Sequence, residues 1–366
     1  MTREHSSKAL YIHIPFCEHI CDYCDFAKLQ YFTLFAKPYL KRLKDELESY
    51  HIEQLETIYV GGGTPTSLED DLFVELLEII KPYSFGVKEY TFECNPESLS
   101  EFKLKKMTEY GVNRLSIGVE STNDEILKSI NRHHTFKDVK TAILRAETNG
   151  QDNINVDLIL GLPGADLGQL KKDLDNLLSL GISHLSCYSL TVHPNTVFYL
   201  KHIPEPLNDQ SRELYDFAHA YLKERGFIHY EVSNWALPGR ESKHNLVYWK
   251  NEQYFGIGLG ASRYLGNVRY TNTRSITDYL KGKTVDIEEI VDPKDDIEYQ
   301  IMLNLRTLEG LDFKEFEDKF GFNLSKTKEK EITQFVDNKL LILKDNKLIP
   351  TYEGMMVLDT IILQLI

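Results

Sequence analysis

The chain has 366 residues, 42 Lys and Arg against 56 Asp and Glu, and a formal net charge of −14. That length suits one large domain plus a smaller one with ample core, and the acidic balance argues against nonspecific nucleic-acid binding. Nothing in the chain reads as a membrane span. The start, Met1–Lys8, is polar and without the apolar stretch of a signal peptide, and five cysteines, three of them within eight residues, read as metal-binding thiols of a reduced compartment. The expected location is the cytoplasm.

In chain order, short apolar segments at Ala9–Ile14, Thr57–Val60, Tyr90–Glu93, Arg114–Val119, Asn155–Leu160 and His184–Leu190 read as strands. Between them, helical spacing puts Leu40, Leu43 and Leu47 on one face, then Leu72, Phe73, Leu76, Leu77 and Ile80. Leu99, Phe102, Lys103 and Met107 run up to Gly111, and Leu170, Leu174, Leu177 and Leu178 run up to Gly181, each glycine marking a helix stop. Six β-then-α units predict an α/β fold with a parallel sheet, either doubly wound or a partial barrel. Polar residues cluster after the strand ends: Tyr11 and the cysteines, Gly61–Thr66, Glu93 with Asn95, Glu120, and Asp157. One barrel mouth gathers them all, so a partial (β/α)6 TIM-like barrel is preferred.

Residues 191–290 read as a less regular extension: a helix near Gln210–Arg225, a strand at Ile228–Val232, the run Ser242–Trp249, and a glycine-rich turn or close backbone approach at Tyr254–Ala261. From Asp292-Pro293, helices near Asp295–Arg306, Asp312–Phe320 and Lys326–Asn338 precede a hairpin and a closing helix, which resembles a winged-helix layout. That part holds 9 Lys and Arg against 14 Asp and Glu from Asp295 onward, which disfavours DNA as its partner. The division expected is 1–190, 191–290 and 291–366.

Cys17, Cys21 and Cys24 offer three thiolates from one loop in a C-x3-C-x2-C spacing. No fourth cysteine follows nearby, so a [4Fe-4S] cluster held there keeps one iron free for a small molecule. A structural zinc completed by His13 or His19 is the competing reading, and it lacks the second ligand pair usual in zinc knuckles. Tyr23 and Pro15-Phe16 would shield a cluster from water. Cys94 and Cys187 read as buried packing residues.

The spacing, with an aromatic residue before the last cysteine, is similar to the signature of the radical S-adenosylmethionine (SAM) superfamily. Tyr11-x-His-x-Pro-Phe-Cys17, Gly61-Gly-Gly-Thr-Pro-Thr66, Val112–Val119 and Val156–Pro163 resemble the branch that contains oxygen-independent coproporphyrinogen III oxidase. The resemblance implies SAM chelated at the open iron and cleavable to a 5'-deoxyadenosyl radical. It also implies SAM contacts at Tyr11, Gly62, Gly63, Thr64, Glu93, Glu120, Arg132, Asp157 and Thr191. Glu120 departs from the glutamine common in the family, which keeps an acceptor, loses a donor and adds a charge.

Two features divide the branch. Phe26 stands where the oxidase has a fourth cysteine, and His244-Asn245-Leu-Val-Tyr248-Trp249 resembles the HNxxYW motif of the HemW group, whose members are regarded as haem chaperones. That resemblance implies haem as cargo, recipient haemoproteins as partners, and His244, Tyr248 and Trp249 as haem contacts, with the imidazole a ligand and the rings against the macrocycle. The alternative is the oxidase activity itself, or another radical SAM reaction. A monomer or homodimer is expected, without nucleic acid or an integral membrane segment, and peripheral docking to a membrane-bound recipient is compatible with it.

Overall fold

The computed structural model describes residues 7–366, so most of the polar start read from the sequence lies outside the described residues. Six strands, β1 (Ala9–Ile14), β2 (Thr57–Gly62), β3 (Glu89–Cys94), β4 (Arg114–Glu120), β5 (Ile154–Leu160) and β6 (His184–Ser189), pair parallel in sequence order. The sequence places each within two residues. Beyond β6 lie the antiparallel β7 (Ile228–Glu231) and β8 (Asn234–Ala236), and on the far side β9 (Phe255–Ile257) joins β1 in parallel. The order is β9-β1-β2-β3-β4-β5-β6-β8-β7, whose ends do not pair, so the barrel stays open.

Alternation of side chains along each strand explains the layering. Leu10, Ile12 and Ile14 of β1, Ile58 and Val60 of β2, Leu115, Ile117 and Val119 of β4, and Ile154, Val156, Leu158 and Leu160 of β5 belong to one buried apolar cluster. Against it pack the crossover helices α1 (Thr33–Glu48), α2 (Asp70–Ile80), α3 (Glu101–Glu109), α4 (Phe136–Thr148) and α5 (Leu167–Leu178). The stripe predicted on α2 is buried at all five positions, each side chain contributing about 1.5–3 kcal/mol. On α3 the reading needs correction: the helix buries Lys103, Leu104 and Met107, whereas Phe102 faces outward. Lys103 goes inside because its ammonium finds the Thr66 carbonyl at 2.6 Å.

The apolar cluster extends past β6 to Leu214, Leu222, Trp235, Ile257 and Tyr279, so residues 191–290 share the core of the parallel sheet. This stretch supplies α6 (Asn208–Lys223), the short α7 (Lys243–Trp249) and a three-stranded antiparallel sheet, Ser262–Leu265, Val268–Asn272 and Val285–Ile290. The glycine-rich run is both strand and close approach. A Cβ on Gly256 would lie 1.8 Å from the Ser262 carbonyl oxygen. After α8 (Pro293–Asn304) the C-terminal module builds its own buried cluster, Ile301 to Leu365, around a three-stranded sheet that includes the predicted hairpin.

Glu46 ties α1 to the later segment. Its buried carboxylate accepts from Tyr279 Oη at 2.5 Å, Asn272 Nδ2 at 2.8 Å and the Gly258 amide at 3.1 Å. Glu46→Ala leaves the Tyr279 hydroxyl and the Gly258 amide without this acceptor and Asn272 Nδ2 with the Gly258 carbonyl alone. It should cost about 2–4 kcal/mol, read as a lower urea midpoint at neutral pH.

Candidate functional site

The cysteine loop is fixed at both ends. Phe16–Cys17 pairs in parallel with Leu29–Gln30, His13 Nε2 bonds the Ala27 carbonyl at 2.7 Å, and Asn131 Nδ2 donates to the Ile20 carbonyl at 2.8 Å. Cys17, Cys21 and Cys24 all face one cavity of about 420 Å³ at the C-terminal ends of the parallel strands. Thr64 Oγ1 points at Cys17 Sγ (3.7 Å) and Arg132 Nη1 at Cys21 Sγ (3.5 Å), the donor contacts with which proteins tune cluster sulfurs. Among the described residues no three His, Cys, Asp or Glu side chains converge on a single-ion position. The three thiols line the same cavity wall, and three thiolates on one wall are a ligand set that a [4Fe-4S] cluster can use. Burial pushes the Cys17 thiol up to about 12 and raises Cys24 as well, so a cationic group must come with the thiolates.

Above the inner face of the sheet, three carboxylates line the same cavity: Glu93, Glu120 and Asp157. Glu93 accepts from Tyr59 Oη and the Gly62 amide, both at 2.8 Å. Asp157 accepts from Asn155 Nδ2 at 2.8 Å, and Glu120 lies 3.8 Å from the Arg132 guanidinium. Burial pushes Glu93 up to about 7; it does the same to Glu120 against the opposing pull of Arg132, and it raises Asp157. Glu120 sits at φ 67, left-handed for a side chain that rarely goes there. The next two residues hold it there, because Thr122 N and Oγ1 donate to the buried Asp173 carboxylate at 2.8 and 2.7 Å.

The triple glycine is required by space. Gly62 has φ 106, and a Cβ there would lie 2.2 Å from the His13 ring; a Cβ on Gly61 would meet the Glu93 carboxyl carbon at 2.4 Å. The glycines bring β2 against the end of β1 and let Glu93 reach the Gly62 amide.

Of the residues singled out by sequence, Tyr23, Gly62, Gly63, Thr64, Glu93, Glu120, Arg132, Asp157, Thr191 and the three cysteines share this cavity. Tyr11 stands behind its wall, in register with Tyr59 and bonded to His13 Nδ1 at 2.9 Å. The His244 run is elsewhere. The Glu89 carboxylate at the start of β3 accepts from the Lys243 and His244 amides, each at 2.9 Å, so α7 closes the N-terminal ends of the strands as a floor. His244 is 1% exposed. Its Nδ1 meets Thr57 Oγ1 at 2.9 Å and its Nε2 meets Tyr248 Oη at 2.7 Å, and burial pushes its pKa down to about 3. Trp249 faces a second cavity, between the floor helix and the C-terminal module. Of the motif only Asn245 reaches the cysteine cavity. The structure thus does not bring His244, Tyr248 and Trp249 to one open face: the histidine's polar partners come from the barrel interior.

Sequence reasoning missed Tyr59, Arg114, Ser116, Asn155 and Ser186 on the cavity wall. The signal was present: each is polar and alternates with the apolar residues of a buried strand. Asn155 joins the wall together, donating to Ser116 Oγ at 2.8 Å and bonding His184 Nδ1 at 2.6 Å.

Glu93 carries a pH signature. In the unfolded chain its carboxyl ionises near 4.5, and in the ligand-free fold near 7. The folded state therefore binds the extra proton in that window, and its contribution to stability is full below about pH 4.5 and lost as pH rises through about 7. Glu93→Gln should flatten the fall in urea midpoint between pH 5 and pH 8; an unchanged slope would mean that Glu93 titrates normally.

Comparison with known proteins agrees with this geometry. The family model of the Radical SAM superfamily matches residues 11–177, and that of the HemN C-terminal domain matches residues 291–357. The chain is 40% identical to the heme chaperone HemW of Lactococcus lactis over 90% of both chains. It is 41% identical to heme chaperone HemW of Bacillus subtilis over 87% of this chain and 88% of that one. The solved structure of coproporphyrinogen III oxidase (HemN) from Escherichia coli superposes with a TM-score of 0.85 at 20% identity, covering 99% of this chain and 91% of the other, a likeness of fold. The chain belongs to the radical SAM superfamily and, within it, to the HemW family.

Proposed function

We propose that the protein is a haem chaperone on a radical SAM scaffold: it binds haem and passes it to recipient haemoproteins. Residues 1–190 would carry a [4Fe-4S] cluster on Cys17, Cys21 and Cys24 with SAM beside it, residues 191–290 the floor and rim of the barrel, and residues 291–366 an appended module. When bound, the cluster supplies a redox-active iron with one position open to the amino and carboxylate groups of SAM.

The chain's own residues suit that ligand. Glu93, Asp157 and Glu120 present acceptors to ribose hydroxyls and cationic groups, Arg132 offers a guanidinium to a carboxylate, and Thr64 and Arg132 support the sulfurs. Three carboxylates whose ionisation is opposed by burial would ionise more readily beside a sulfonium, so SAM binding and proton release are coupled.

The observation that carries the chaperone reading is Phe26. At the position where the oxidase branch has a further cysteine, this chain places an apolar ring, 63% exposed, on the rim of the cavity. An open aromatic surface beside a cluster site suits a flat hydrophobic cargo. The two HemW relatives, both named as heme chaperones, support the same reading. Anaerobically reconstituted protein titrated with haem should develop a saturable Soret band at one haem per chain, and incubation with SAM, reductant and coproporphyrinogen III should yield no vinyl product. Absence of the Soret change, or formation of the vinyl product, would sink the chaperone reading.

A further inference from the structure

A carrier that holds haem iron through histidine needs an imidazole nitrogen with a free lone pair and room beside it for a planar macrocycle. Three buried histidines of the barrel are committed at both ring nitrogens. His244 is bonded through both ring nitrogens in the floor, His184 is bonded to Asn155 and Tyr230, and His13 to Tyr11 and Ala27. Among the described residues, the histidines on the wall of the cysteine cavity are His19 and His193. His19 lies inside the cysteine loop, and one face of its ring is covered by His133, stacked at 3.6 Å and 13°.

His193 is placed differently. It follows β6 at the rim, its side chain is 48% exposed, and its Nε2 lies 3.9 Å from Asp25 Oδ2, too far for a hydrogen bond. The imidazole thus meets the cysteine loop across the opening, next to the residue that precedes Phe26. Phe26 and Tyr188, 63% and 44% exposed, line the same cavity. Aromatic faces, a carboxylate able to orient the ring, and an uncommitted imidazole therefore meet at one opening, with the Lys28 side chain on the same wall for an acidic substituent. Large aromatic side chains left open to solvent beside a cavity mark a place where something flat and apolar sits.

Resting on the reading of the chain as a haem carrier, we propose that His193 ligates the haem iron at the mouth of the cluster cavity, with the macrocycle against Phe26 and Tyr188. Haem would then lie over the opening that leads to the cysteines, and cargo and cluster would occupy one continuous site.

The test compares haem titrations of reconstituted wild type, His193→Ala, Phe26→Ala and His244→Gln, followed by Soret position and by electron paramagnetic resonance of the ferric complex. His193→Ala should weaken binding roughly tenfold or more and shift the Soret band, and imidazole added to His193→Gly should restore the wild-type spectrum. Phe26→Ala should weaken binding without moving the band. His244→Gln should keep the wild-type spectrum in the folded fraction. Because the His193 side chain is exposed and holds no hydrogen bond, its variants should keep the wild-type far-ultraviolet dichroism and cluster absorbance. An unchanged affinity and spectrum in His193→Ala, or loss of the spectrum in His244→Gln alone, would overturn this assignment while leaving haem binding intact. No Soret change in the wild type would instead overturn the chaperone reading on which the assignment rests.

Discussion

A parallel sheet with a polar inner face must satisfy those polar groups without bulk water, and the rest of this molecule follows from that constraint. Thr57 and Glu89 point inward at the starts of their strands. They are closed off by α7, whose first amides fall on Glu89 and whose histidine falls on Thr57. At the other end the inward residues are left open. Glu93, Glu120 and Asp157 there have protein partners for only part of their capacity, and the remainder faces the cavity with the cysteines. Floor and mouth are thus two solutions to one problem, the first with protein partners and the second with room for a ligand.

Much of this was legible in the sequence because it rests on local periodicity. The six parallel strands and the helices between them announce themselves through apolar alternation and 3.6-residue spacing, and the mouth residues through their position after strand ends. The antiparallel sheet at 262–290 did not, for a physical reason: Val285–Ile290 is almost wholly exposed and Val268–Asn272 only half-buried, so neither carries an apolar face to read. On α3 the stripe read from sequence holds Lys103 and Met107, but the third inner position is Leu104 and not Phe102. That is a choice within one turn between two apolar residues, which periodicity alone leaves open.

The His244 run shows a motif whose partners its spacing does not name. Histidine beside Tyr248 and Trp249 suggests a cofactor contact, since the same groups ligate metals and stack on rings. In the fold the histidine's two nitrogens are committed 187 residues away in sequence and one helical turn away, to Thr57 and Tyr248. No spacing rule reports a partner so distant. Phe26 illustrates the converse: one apolar residue in a loop, unremarkable by composition, becomes informative because of what surrounds it.

The seven-residue floor helix has one more face, turned to the C-terminal module. Asn304 Nδ2 donates to the Trp249 carbonyl at 2.8 Å, Asn251 Nδ2 to Asp296 at 2.7 Å, and Lys250 pairs with Glu309 at 3.0 Å. One short segment therefore plugs the barrel with its first residues and docks the module with its last. The two parts are joined as a keystone joins two arches, and a chain ending before residue 291 would lose one side of the contacts that hold its own barrel shut. In this architecture the appended module shares a boundary with the barrel floor, so a change at Asn304, Asp296 or Glu309 reaches the segment that closes the strands.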